Sequence, residues 1–101
     1  MTDGRWFVYL VECRTQRIYT GVTPNLVHRM SAHRSGRGAA FTRINPPERL
    51  LAAKRFENRS EAQRVEAQVK RLSAVQKRFL AAEWSKEYPI DERAQKALAL
   101  G

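Results

Sequence analysis

Five side chains stand out by type and spacing: Tyr9, Tyr19, Arg29, His33 and Glu66. Two phenols, a guanidinium, an imidazole and a carboxylate are groups that hold anions and move protons. Each also has a plain structural role open to it. Tyr9 and Tyr19 lie in successive apolar runs, where a tyrosine commonly packs its ring and finds one partner for its hydroxyl. Arg29 and His33 are four residues apart, so on a helix they share one side. Either fits an ordinary boundary or solvent-facing position. Glu66 follows Ala62 by four and precedes Val69 by three, which puts it at the border of an apolar stripe. Glu66 with Lys70 is also a favourable i,i+4 pair, worth about 0.3–0.5 kcal/mol.

Joint action by the two tyrosines requires one face of one sheet. Paired residue numbers in a hairpin have a constant sum, and the parity of that sum decides the face. A two-residue turn at Thr15-Gln16 gives 31, opposes Tyr19 to Glu12 and separates the tyrosines. A three-residue loop gives 30, opposes Tyr9 to Gly21 and Val11 to Tyr19, and puts both rings on one side. Positions 14–17 hold no Gly or Asn for a primed two-residue turn, which favours the second register.

The elements that must position these residues can be read in order. Trp6 to Cys13 is apolar at both parities except Glu12, the pattern of a strand buried on both faces and therefore central. Arg17 to Val22 supplies the second arm of the hairpin. Thr23-Pro24 reads as N-cap and first residue of a helix with Leu26, Val27 and Met30 inside, ending near Ser35-Gly36. Residues 34–47 read as an irregular basic loop, and Arg49 to Phe56 as a third strand. Asn58 and Glu61 form a capping-box pair ahead of a helix with Ala62, Val65, Val69 and Leu72 on one stripe. Ser73 with Gln76 opens a further helix, Val75 to about Trp84, that packs Phe79 and Leu80. After Pro89, Asp91 to Leu100 is a short helix prone to fray. The expected class is α+β, a small three-stranded sheet in the order β-β-α-β-α-α flanked by helices.

The 101-residue chain has 19 Lys plus Arg against 10 Asp plus Glu, a net charge of +9. Residues 1–56 hold ten basic and three acidic side chains, net +7, against nine and seven, net +2, in 57–101. A basic front half suits a polyanionic partner, because Lys and Arg release condensed counterions from phosphates. One cysteine, Cys13, excludes an internal disulfide and a cysteine-built zinc site. No apolar run approaches the ~18 residues of a membrane span. Met1 to Arg5 lacks the basic and apolar regions of a signal peptide, so a cytoplasmic protein is expected.

Together the residues resemble the GIY-YIG endonuclease family, and especially its short, stand-alone bacterial single-domain branch, over about residues 5–80. The first motif appears as Phe7-Val8-Tyr9 and the second as Tyr19-Thr20-Gly21. The family's catalytic arginine falls on Arg29 and its histidine on His33, ten and fourteen residues after Tyr19. Residues 62–70 resemble the family's glutamate helix, with Glu66 as metal ligand, and Gly36 to Arg43 is similar to the same stretch of the short bacterial members. Phe7 and Thr20 depart from the motif letters. Phe41 and Thr42 stand where some members carry a further tyrosine, and no asparagine follows the glutamate helix.

The resemblance implies a GIY-YIG-like nuclease domain at residues 1–84 with a C-terminal helical extension at 85–101. It implies a metal-dependent endonuclease that hydrolyses phosphodiester bonds in DNA with low sequence specificity. Single-stranded or branched DNA in repair, recombination or DNA processing is the implied setting. Tyr9 and Tyr19 would orient or deprotonate the water, His33 would relay the proton, and Arg29 would bind the developing charge. One Mg²⁺ or Mn²⁺ would sit on Glu66, with no small-molecule cofactor. Arg34, Arg37, Arg43 and Lys70 would contact the nucleic acid. The alternative is a non-catalytic nucleic-acid-binding module that keeps the basic half and cuts nothing.

Overall fold

The computed structural model describes residues 5–99. Its elements are β1 (Trp6–Cys13), β2 (Ile18–Thr23), α1 (Leu26–Arg34), α2 (Ala40–Ile44), β3 (Pro47–Phe56), α3 (Arg59–Lys70), α4 (Ala74–Glu87) and α5 (Glu92–Ala99). The three strands form an antiparallel sheet in the order β2-β1-β3. The class is α+β, as the sequence indicates. Among the described residues no helix is long and apolar enough to cross a membrane.

β1 is central because both of its faces are covered, and Val8, Tyr9, Leu10 and Val11 have no solvent exposure. Even-numbered Val8 and Leu10 join Ile18, Ala52 and Phe56 under Ala62 and Val69 of α3 and Ala81 and Trp84 of α4. Odd-numbered Tyr9 and Val11 join Leu50 under Leu26 and Met30 of α1 and Ala94 and Leu98 of α5. Leu50 reaches this second face through a bulge, since β3 pairs Ala52 with Leu10 but Leu50 with Val11. The extra residue, Leu51, has its carbonyl bonded by Ser85 Oγ of α4 at 3.0 Å. Glu12, the polar exception in β1, meets α4 as well, where Arg78 pairs with it while Arg49 approaches at 3.3 Å.

The hairpin takes the three-residue loop and the sum of 30: Tyr9 opposes Gly21 and Val11 opposes Tyr19. Gln16 N–H donates to the Cys13 carbonyl at 2.8 Å and Cys13 N–H to the Arg17 carbonyl at 2.9 Å, with Gln16 at φ 68°. That is a tight turn closed by a left-handed residue, here a glutamine.

Several expectations need correction. α1 starts at Leu26 under an Asn25 cap whose side chain accepts the His28 N–H, two residues later than Thr23-Pro24 implied. Thr23 cannot cap because it still pairs with Phe7, and its hydroxyl instead bonds the Asn25 backbone at 3.1 and 3.2 Å. The loop at 34–47 contains α2, and β3 begins at Pro47 and not at Arg49. α3 ends at Lys70, so Leu72 packs against the core from beyond its end. α4 runs on to Glu87 and leaves Phe79 72% exposed, because the buried Ala81 and Trp84 set its inner face. Leu80 does pack inward.

α5 covers two weak points at once. Ala94 and Leu98 are buried against α1 and the sheet. The Gln95 amide donates to the Leu50 carbonyl at 3.0 Å and accepts its N–H at 2.9 Å, which closes the outer edge of β3 as a paired strand would. The expected helix end at Leu100 lies outside the described residues.

Candidate active site

The site begins with a glycine. A Cβ on Gly21 would lie 2.5 Å from Tyr9 Cζ and 2.8 Å from Tyr19 Cε2, so no larger residue leaves room for the two rings. Tyr9 therefore lies across Gly21, and Tyr19 stands beside it on the same face. The ring centroids are 6.1 Å apart.

α1 crosses this face and presents one turn of its inner side to the tyrosines. Arg29 Nε–H donates to Tyr9 Oη at 3.2 Å. His33, one turn on, has Nε2 2.7 Å from the same Tyr9 oxygen, and its ring meets Tyr19 edge-on at 5.4 Å. The other imidazole nitrogen, Nδ1, lies 2.9 Å from Thr42 Oγ1 of α2, whose hydroxyl donates to the Ala39 carbonyl at 2.9 Å. α2 also places Phe41 in a stack on Tyr19 at 5.8 Å. A Cβ on Gly38 would collide with His33 Nδ1 and lie 3.0 Å from Cε1 and 3.1 Å from Cγ, so the backbone before α2 runs close against the imidazole.

The electrostatics follow from burial. Tyr9 has no solvent exposure, and loss of water pushes its pKa well above that of a free phenol. The hydrogen bond and the charge of Arg29 oppose that rise, while the Glu66 carboxylate adds to it. Burial first, and then the charge of Arg29, lower His33 to about 4. For Arg29 burial works downward, but its bonds to the Tyr9 and Tyr19 hydroxyls outweigh it and raise the pKa.

Glu66 approaches from α3 with its side chain 17% exposed, and Lys70 Nζ lies 3.5 Å from it. It is thus paired along its helix, and its carboxylate adds a small upward push to the pKa of Tyr9. Among the described residues no group of three or more His, Cys, Asp or Glu side chains is arranged to hold a metal ion. A Mg²⁺ ion binds through one or two carboxylates together with water and substrate phosphate, and Glu66 fits that donor set as its single protein ligand.

The basic candidates divide. Arg37 and Arg43 are exposed, with Arg37 Nε donating to Ser35 Oγ at 2.9 Å. Arg34 Nε donates to the Ala97 carbonyl in the last turn of α5 at 3.0 Å, so it holds that helix. Lys70 faces Glu66. Sequence reasoning missed Thr42 and Gly38. Each acts on His33 through space, and the only signal at Thr42 is a hydroxyl residue in the stretch where some family members carry a tyrosine.

Comparison with known proteins identifies the family. The family model described as the GIY-YIG catalytic domain matches residues 5–79. A UPF0213 protein of Cupriavidus necator is 44% identical over 81 residues, 80% of this chain and 88% of that one. Another, from Oceanobacillus iheyensis, is 43% identical over 75 residues, covering 74% and 87%. The solution NMR structure of a UPF0213 protein from Bacillus halodurans is 36% identical, covers 94% of this chain and 98% of its own, and superposes with a TM-score of 0.52. With its two tyrosine motifs on one sheet face, and Arg29 and His33 brought to them by one helix, the chain belongs to the GIY-YIG family, a family of nucleases.

Proposed function

We propose that this protein is a metal-dependent endonuclease that hydrolyses phosphodiester bonds in DNA with low sequence specificity and acts in the cytoplasm. The observation that carries the proposal is the convergence of Tyr9, Tyr19, Arg29 and His33 from three elements, with Arg29 and His33 both hydrogen-bonded to the Tyr9 hydroxyl and Tyr19 packed beside it. Phosphoryl transfer needs such a set: an oriented water, a proton acceptor and a fixed positive charge for the phosphate.

Each residue's part follows from its burial and partners. Tyr19, half-buried, is the phenol placed to orient the attacking water. Tyr9 lies fully enclosed, joined to His33, and the pair forms the route by which a proton leaves. Tyr9 acts there as a protonated shuttle, because its raised pKa disfavours a standing phenolate. Arg29 presents its planar fork to the phosphate oxygens. An anion bound there neutralises Arg29, one of the two causes of the low His33 pKa, and so makes the imidazole a better base when substrate arrives. Glu66 would hold one Mg²⁺ or Mn²⁺ ion, which when bound supplies charge neutralisation at the leaving oxygen. Arg37 and Arg43 would hold the flanking backbone, with Arg34 and Lys70 contributing positive charge from their helices.

The test is cleavage of single-stranded, duplex and branched DNA, and of RNA, with Mg²⁺, Mn²⁺ or EDTA. Cleavage of at least one DNA that stops in EDTA and falls by at least about 100-fold in Glu66→Gln is expected, while the variant keeps DNA affinity. DNA binding without cleavage under any metal would replace the proposal by the non-catalytic binding module. Cleavage by Glu66→Gln at the wild-type rate would remove the metal role.

A further inference from the structure

Thr42 lies outside the five residues of the site, yet its hydroxyl ends a chain of hydrogen bonds that starts at Tyr9. The direction of each bond in that chain can be worked out from both ends. At one end, Arg29 has no acceptor, so the bond of 3.2 Å makes Tyr9 Oη the acceptor of the Arg29 Nε–H. The Tyr9 proton is then free to point at its other neighbour, His33 Nε2, 2.7 Å away. Nε2 must be an unprotonated lone pair to receive it. At the other end, the Ala39 carbonyl is acceptor only, so the single hydroxyl proton of Thr42 points at it across 2.9 Å. Thr42 Oγ1 therefore receives the contact of 2.9 Å from His33, which requires Nδ1–H. The Thr42 end fixes the tautomer, and the Tyr9 end is satisfied by it, since a bare Nε2 gives the buried Tyr9 proton its acceptor.

We propose that Thr42 is a positioning residue that fixes His33 in the Nδ1–H tautomer and so leaves Nε2 open to take the Tyr9 proton. This rests on the nuclease reading for its purpose, though not for its geometry. The alternative tautomer puts Nε2–H against an oxygen already receiving Arg29 Nε–H, and faces a bare Nδ1 toward an oxygen whose proton is turned to Ala39. Turning the ring over would place carbon atoms against both hydroxyls and leave two buried groups unpaired, with His33 and Thr42 each 2% exposed. Packing holds the ring as well, with Tyr19 edge-on at 5.4 Å and the Gly38 backbone close to its Nδ1 end. When the Tyr9 proton moves to Nε2, the ring becomes an imidazolium. Its Nδ1–H remains bonded to Thr42 and Tyr9 keeps the Arg29 bond, while the water's proton restores the Tyr9 hydroxyl. The imidazole–hydroxyl–carbonyl chain thus resembles the general use of a third group to hold a histidine in its working tautomer.

The closing experiment separates the tautomer from the reaction. Long-range ¹H–¹⁵N correlation spectra of the ¹⁵N-labelled protein near neutral pH report which nitrogen of each histidine carries the proton, and only His28 must be told apart from His33. The wild type is expected to show His33 protonated at Nδ1. Thr42→Val, which keeps the shape and removes the hydroxyl, is expected to lose that preference. Thr42→Ser is expected to restore it. On a DNA that the wild type cleaves, Thr42→Val should lower kcat by about 10- to 100-fold with KM unchanged, and Thr42→Ser should recover most of it. An Nε2–H signal in the wild type overturns the proposal, as does an unchanged Nδ1–H signal in Thr42→Val. If Thr42→Val does not fold, the wild-type and Thr42→Ser spectra still decide the tautomer. A protein that shows the Nδ1–H tautomer but cuts nothing leaves the positioning role standing and overturns the nuclease reading instead.

Discussion

An imidazole that loses its water on folding resists protonation, and His33, lowered from 6.5 to about 4, makes stability depend on pH in a definite direction. Between these values the unfolded chain takes up a proton that the folded chain refuses. The contribution is therefore complete above pH 6.5, at up to about 3 kcal/mol, and is lost as pH falls toward 4. Urea unfolding of wild type and His33→Gln across about pH 4–7 should show a gap that narrows on acidification; a constant gap would mean that His33 titrates normally. The tyrosines should separate in the same assay. Tyr9→Phe removes a hydroxyl on which Arg29 and His33 both converge, so it should cost about 1–3 kcal/mol. Tyr19→Phe, at a half-buried ring stacked on Phe41, should cost less than about 1 kcal/mol. On DNA, both should lower kcat, and the double variant should lose less than the product of the two effects because the hydroxyls serve one proton transfer. The five site residues were legible in the chain because each sits at a set spacing within an element or from its motif. Thr42 was not, because its partnership with His33 joins two helices and has no periodicity to read.

What brings the tyrosines together is the length of one loop. Three connecting residues make the pairing sum even, so Tyr9 and Tyr19 share a face, and the absence of primed-turn residues already favours this parity in the sequence. Its cost is local: Gln16 adopts φ 68°, a conformation that a side chain disfavours by about 1 kcal/mol or more. Gln16→Gly should therefore stabilise the protein by about 0.5–1 kcal/mol in thermal or urea unfolding while leaving the register intact. Destabilisation would show that Gln16 is held by something other than turn geometry. Other elements were legible where capping and alternation agree, as with Asn58 accepting the Glu61 N–H and the full Ser73–Gln76 capping box. The failures have distinct causes. Strand pairing at Thr23 displaced the start of α1, and five-residue α2 is too short for a periodic signal. On α4 Leu80 packs inward as expected, but Phe79 faces outward, because the buried Ala81 and Trp84 set the inner face.

At the scale of the whole molecule, the basic excess of the front half does not act as one undivided patch. Arg49 is drawn to Glu12, and Arg34 to the end of α5. Arg37 and Arg43 differ: both are exposed on the segment that also carries Phe41 against Tyr19 and Thr42 against His33. On the nuclease reading proposed above, these two side chains are the ones open to the backbone phosphates of a bound strand. Such pairing positions a nucleic acid without reading its bases. Arg37→Ala with Arg43→Ala should therefore weaken binding to every sequence alike and reduce the slope of log K against log salt by about 2, one for each phosphate that is no longer neutralised. Fluorescence anisotropy on labelled oligonucleotides of different sequence, from about 50 to 200 mM salt, measures both quantities. The separation from chemistry is equally specific. At saturating DNA the double variant should cleave at nearly the wild-type rate, because neither side chain is hydrogen-bonded to Tyr9, Arg29 or His33. A weakening confined to some sequences would make these arginines base readers. A fall in turnover at saturation would tie the segment's charge to the His33–Thr42 hydrogen bond beside it.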